Sequence, residues 1–259
     1  VDYFKQPMKA SPLPSTLHAL LLCASLLSVV CAPALAQDAV VLKSGQTREG
    51  KIVGVSGGNV RIETSAGTVG TPLSQVREIR MAPPEAFEAA AAMLASGDAG
   101  GAVSALTQLN ETFSGLPAPW AERAAAMLGD AKLATGDTEG AKAAYEQFRQ
   151  TYPQATTLAN LGMARLAVDA GQYDEAEKLL QPVLQASDKT AFPDSAEGPA
   201  LSQGHYLLGR VKEAAGDHQA ALANYLKAST VFPFDSNAAA SAQKQADALR
   251  AEHAGLIAP

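Results

Sequence analysis

The sequence predicts an all-α helical repeat array preceded by a small all-β domain, and three observations predict it. Composition breaks sharply at Met81-Ala82-Pro83-Pro84. Before the break, residues 38–81 hold no aromatic side chain and alternate apolar with polar positions, the two-residue period of a half-buried strand. After it the chain turns alanine-rich and one phrase returns: "GDAGGA" at Gly97, "GDTEGA" at Gly136, "GQYDEA" at Gly171 and "GDHQAA" at Gly216. Spacings of 39, 35 and 45 residues suit stacked helix pairs.

Ahead of both parts stands a segment read as a secretory signal. Met8-Lys9 opens a basic start, Ala19 to Val30 is an uncharged apolar run, and Ala34-Leu35-Ala36 carries the small-x-small cleavage pattern. The expectation is a bacterial-type signal over residues 8–36, cleaved after Ala36, because about 12 apolar residues fall short of the roughly 20 that span a bilayer. Stable membrane insertion is therefore not expected, and the localisation read from the sequence is periplasmic. Cys23 and Cys31 both lie in this segment, preceded by Leu22 and Val30 instead of the small residue that lipoprotein attachment needs. The remaining chain has no thiol, disulfide or cysteine ligand. Residues 1–36 hold two lysines and one aspartate, so the formal charge of −6 becomes −7, with 18 basic against 25 acidic side chains. That balance argues against a general polyanion binder.

The β part, residues 38–81, divides into strands at 39–42, 47–55, 60–64, 67–71 and 76–81, separated by the turn-rich "KSGQ", "SGGN", "SAG" and "PLSQ". Five short strands joined by tight turns fit a small barrel of the SH3 or Sm type, since closure removes exposed edges. Within it, "GVSGG" (Gly54 to Gly58) spells the G-x-S-x-G of a hydrolase nucleophile elbow. An elbow needs a helix after the serine, whereas "NVRIET" alternates like a strand, so Ser56-Gly57-Gly58-Asn59 reads as a hairpin connection. "VVLKSGQTREGKIVGV" also resembles the first half of an Sm motif. No second half follows and no stacking side chain is present, so RNA binding stands as an alternative to a protein-binding or oligomerisation module.

The helical part reads as helices 84–96, 99–113, 119–135, 138–151, 155–170, 173–185, 199–215 and 218–231. In the repeated phrase, glycine ends one helix in a left-handed cap, aspartate caps the next, and alanine five residues on allows close helix approach. Leu128-Gly129, Gly136, Ala141, Tyr145 and Pro153, then Leu208-Gly209, Gly216, Ala221, Tyr225, Ala228 and Pro233, recur at identical offsets. This pattern resembles the tetratricopeptide repeat (TPR) family, with weaker matches around Gly97 (Ala102, Leu106) and Gly171 (Ala176, Leu180). The resemblance covers residues 84–235 as four helix pairs, with an inserted loop at 187–199. Asn237 to His253 is expected to be a polar capping helix.

No catalytic, cofactor or metal site is evident. His205, His218 and His253 have no zinc-ligand spacing; His205 is expected to pack or face a groove, and the other two to be solvated. "NET" (Asn110 to Thr112) fits a glycosylation acceptor, and "DEAE" (174–177) reads as the acidic first turn of a helix. The TPR resemblance implies a concave groove lined by the first helices, and carrying its groove positions across gives Arg123, Asp130, Arg165, Asp169, Tyr206, Arg210 and Glu213. Arg165 and Arg210 fall at the same place in successive repeats and could fork onto the carboxylates of a protein or peptide partner. They could equally pair with Asp169, Glu213 or neighbouring helices. The expected function is thus an exported, non-enzymatic adaptor without cofactor; an RNA-binding barrel or a serine hydrolase are the alternatives. "AAYEQFRQTYP" and "ALANYLKASTVFP" resemble stretches of envelope repeat proteins associated with Tol-Pal, although those carry a coiled coil where this chain has a barrel.

Overall fold

Gly50 decides how the β part is built. The computed structural model describes residues 37–185, 193 and 197–256, so the signal segment and most of the 187–199 loop lie outside the described residues. Six strands are present among the described residues where five were expected, because "TREGKIVGV" breaks at Gly50 into β2 (Thr47–Glu49) and β3 (Lys51–Ser56). Gly50 has φ 154°, and a Cβ there would stand 2.5 Å from the Glu63 carbonyl oxygen, so only glycine lets the chain turn from one sheet to the other. β1 (Ala39–Leu42) sits between β2 and β6 (Val76–Arg80) in one antiparallel sheet, and β4 (Asn59–Thr64) sits between β3 and β5 (Gly67–Pro72) in the other. The Asp38 carboxylate accepts the Ile52 amide at 3.0 Å, and Arg48 donates to the buried Thr71 hydroxyl at 2.8 Å, joining the two layers.

Nine α-helices follow among the described residues: α1 (Glu85–Ser96), α2 (Ala99–Phe113), α3 (Pro119–Ala134), α4 (Thr138–Thr151), α5 (Thr156–Asp169), α6 (Tyr173–Leu184), α7 (Glu197–Ala214), α8 (His218–Leu226) and α9 (Ser236–Glu252). The fold is a helical repeat array after a small β domain. Its punctuation comes from the recurring phrase. Gly97, Gly136, Gly171 and Gly216 all take positive φ, 73° to 86°, and close the first helix of each pair. Asp98, Asp137 and Asp217 then cap the second helices, accepting the amides of Gly101, Gly140 and Ala220 at 2.9, 2.9 and 3.0 Å. Gln172 stands at the fourth such place and makes no side-chain cap. Ala102, Ala141, Ala176 and Ala221 are completely buried, and the residues four positions on, Leu106, Tyr145, Leu180 and Tyr225, are at most 1 % exposed. α8 does not run regularly to 231 as expected: Lys227–Val231 forms a π-helical turn.

The joint at Pro83-Pro84 does not separate two independent bodies, contrary to what a change of architecture at a proline pair suggests. Val40, Ile52, Val60 and Ile62 of the strands share one core with Phe87, Leu106, Leu109 and Trp120 of the first helices. Gly54 marks the contact, since a Cβ there would meet the Thr112 carbonyl oxygen of α2 at 2.7 Å. The apolar face of so small a sheet pair needs this cover.

Candidate functional site

α1, α3, α5, α7 and α9 lie side by side along one face and leave a groove of about 850 Å³. Its apolar lining includes Leu94, Met127, Leu158, Leu161 and Pro199. The first helices are brought close by glycines. The Tyr145 ring fills the space where Gly129 of α3 and Gly162 of α5 lack a side chain, and the Tyr225 ring lies 2.5 Å from where a Gly209 Cβ would stand. Tyr145 is thus buried between two first helices while its hydroxyl still reaches the groove.

That hydroxyl begins a polar chain along the floor. Tyr145 donates to Asp130, which also accepts the Arg165 guanidinium. Arg165 donates to Gln203 Oε1 at 3.2 Å, and Gln203 Nε2 donates to Asp235 Oδ2 at 2.6 Å. The other Asp235 oxygen caps α9 by accepting the Ala238 amide at 2.9 Å. Five side chains from four helices and one cap are therefore mutually satisfied. The Asp130 charge holds Arg165 still more firmly protonated, against the opposing cost of burial. Burial first, and Asp130 second, push the Tyr145 hydroxyl far above the usual phenol range.

Of the residues proposed from sequence, Arg123, Asp130, Arg165 and Tyr206 line this groove. Asp169, Arg210 and Glu213 lie one to two turns further along their helices, outside the lining. There Arg210 pairs with Asp169 at 2.9 Å, and Glu213 accepts the Tyr225 hydroxyl. Both guanidiniums offered to a partner's carboxylates are thus engaged by carboxylates of the chain itself. α3, α5, α7 and α9 line the groove mainly with their amino-terminal parts and α1 with its carboxyl-terminal half, so Asp169, Arg210 and Glu213 sit too far along. Glu122 and Gln203 were missed; Gln203 stands one helical turn before Tyr206, which was found, whereas Glu122 stands one turn before Ala126, which was not.

The remaining motifs resolve as packing. Gly57 and Gly58, with φ 56° and 72°, form a two-residue hairpin loop between the paired Ser56 and Asn59, and strand β4 follows where an elbow needs a helix. Asn110 donates to the Leu106 carbonyl at 2.9 Å and is partly buried, so its amide is not presented on a loop. Asp174 and Glu175 open α6 as read. His205 is buried, stacked on Phe232 at 5.4 Å with Nδ1 3.0 Å from Asn224 Oδ1. His218 and His253 were expected in solvent; instead their rings stack at 3.9 Å and pin the end of α9 to the start of α8.

Comparison with known proteins agrees with this architecture. Residues 153–233 and 126–155 match two tetratricopeptide-repeat family models. Among solved structures, MamA 41-end from Desulfovibrio magneticus RS-1 is similar over 66 % of this chain and 99 % of that one, at 15 % identity and a TM-score of 0.40. No curated protein matches the chain.

Proposed function

We propose that the protein is an exported, non-enzymatic adaptor that holds a segment of a protein partner in the groove between its first helices. The observation that carries this is the groove itself: an open trough of about 850 Å³ whose polar floor is already hydrogen-bonded from Tyr145 to Asp235. A preformed surface loses little on binding, because its side chains are already ordered. The tetratricopeptide repeats over residues 126–233 support a protein as the partner. The apolar run before Ala34-Leu35-Ala36 supports export, and the envelope-like wording of "AAYEQFRQTYP" supports a cell-envelope setting.

Site-specific photo-cross-linking in cells tests the reading. A cross-linker at Thr157, exposed in the groove, should capture a discrete protein, whereas one at Lys142, exposed on the second helix of its repeat, should not. Capture from Lys142 alone, or from neither, would place the interface elsewhere. Sequencing the amino terminus of the accumulated protein tests export, with Gln37 as the expected first residue.

A further inference from the structure

We propose that the groove receives a lysine or arginine side chain of the bound segment at Glu122; the inference rests on the groove being the binding surface. Glu122 lies in the first turn of α3 and lines the groove half-buried. Its carboxylate has neither an ion-pair partner nor a hydrogen bond among the described residues. The other charges facing the groove are differently placed, Glu197 in the first turn of α7 already interacting within the chain. Asp130 is neutralised by Arg165, and the Asp235 carboxylate is held by Gln203 and the Ala238 amide. Arg123 follows Glu122 directly, so it points about 100° away around the helix, exposed and 5.6 Å above the Phe87 ring. An exposed cation of that kind gains little from a partner, whereas a desolvated carboxylate gains much.

Two further observations fit a basic side chain. Burial pushes the Glu122 carboxyl above the usual range even though it stands at a helix amino terminus, which by itself favours the anion. Part of its hydration is thus lost without a hydrogen bond in return. Around it, Ala126, Ala155 and Leu158 belong to an apolar patch with Tyr152. A methylene stem laid on that patch would carry an ammonium or guanidinium to the carboxylate. The expectation of an acidic partner gives way to a basic one, because the arginines on which it stood are already paired.

Phage-displayed random peptides panned on the full chain test this directly. Pools selected on the native protein should be enriched in Lys and Arg relative to pools selected on Thr157→Trp, which fills the groove. Glu122→Gln should lose that enrichment and weaken the selected basic peptides about tenfold or more, and Glu122→Lys should shift the pool toward Asp and Glu. Glu122→Gln should melt like the native protein, since the side chain makes no internal bond, and Glu122→Lys slightly lower, since it puts a cation in the first turn of α3. A groove-dependent pool without basic preference, or one indifferent to Glu122→Gln, would overturn the inference and leave the groove reading standing. Identical pools from native protein and Thr157→Trp would overturn both.

Discussion

The ring of Tyr145 rests on the bare backbone of Gly162, one repeat further along the chain. No side chain can be added there without moving the ring, and the ring is 1 % exposed with its hydroxyl anchored on Asp130. Gly162→Ala should therefore destabilise by about 1–3 kcal/mol, although helix propensity alone would favour alanine by about 1 kcal/mol. In a Tyr145→Leu background the same change should be neutral or stabilising. Chemical denaturation of the four proteins of this cycle decides the point.

Asp130 and Asp169 each hold an arginine, but in unlike settings. Asp130 also accepts the buried Tyr145 hydroxyl and its pair is the less exposed of the two, with side chains 24 % and 32 % exposed against 34 % and 38 %. Asp130→Ala should cost about 1–3 kcal/mol, by leaving two donors without an acceptor, and Asp169→Ala at most about 1 kcal/mol. Equal losses in urea denaturation would refute the distinction.

Alkaline pH should destabilise the fold through its tyrosines. Burial, opposed by the Gly115 amide, pushes the Tyr152 hydroxyl up to about 12, and burial raises Tyr145 and Tyr225 as well. A raised folded value means the stability is fully present below the unfolded value of about 10 and is lost as pH climbs from there toward the folded value. Denaturation midpoints should thus be unaffected by these groups up to about pH 9.5 and fall between roughly 10 and 12. Tyr152→Phe should lower the plateau, by removing the acceptor of the Gly115 amide, and flatten that fall.

Because strands and first helices share one core, residues 82–259 alone should expose Phe87, Leu106 and Leu109, melt lower than the whole chain and bind an apolar dye. Proteolysis at Ala82 or Pro83, both outside regular structure, should leave two fragments that co-elute. Fragments that part freely would contradict the shared core.

Ser56→Ala should change stability by less than about 0.5 kcal/mol and leave no fluorophosphonate labelling to lose. Gly57→Val, by contrast, forces a β-branched residue to a φ of 56° and should cost more than about 1 kcal/mol. Labelling of Ser56 would reopen the hydrolase reading.

What could be read in advance divides along physical lines. Caps and turns are local, so Gly97, Asp98 and their counterparts, and most helix ends, were legible from a few neighbouring residues. Gly162 was passed over because it stands nine positions before its repeat glycine where Gly129 stands seven before its own; it serves the tyrosine of the preceding repeat and not its own. The Asp130–Arg165 pair spans 35 residues, yet both stand six before a repeat glycine, and equal offsets in stacked repeats are neighbours in space. The bend at Gly50 was hidden by an alternation that continues on both sides of it.

An array whose units touch only their neighbours can fray from one end, each unit opening with its own free energy. The chain of bonds from Tyr145 to Asp235 works against that. When α9 lifts, Gln203 loses its acceptor, Arg165 loses a fixed companion and Asp130 is left to hold both arginine and tyrosine. Breathing at the carboxyl end is therefore felt about a hundred residues earlier in the chain, and amides of α3, α5, α7 and α9 should exchange with solvent as one cooperative class instead of a graded series.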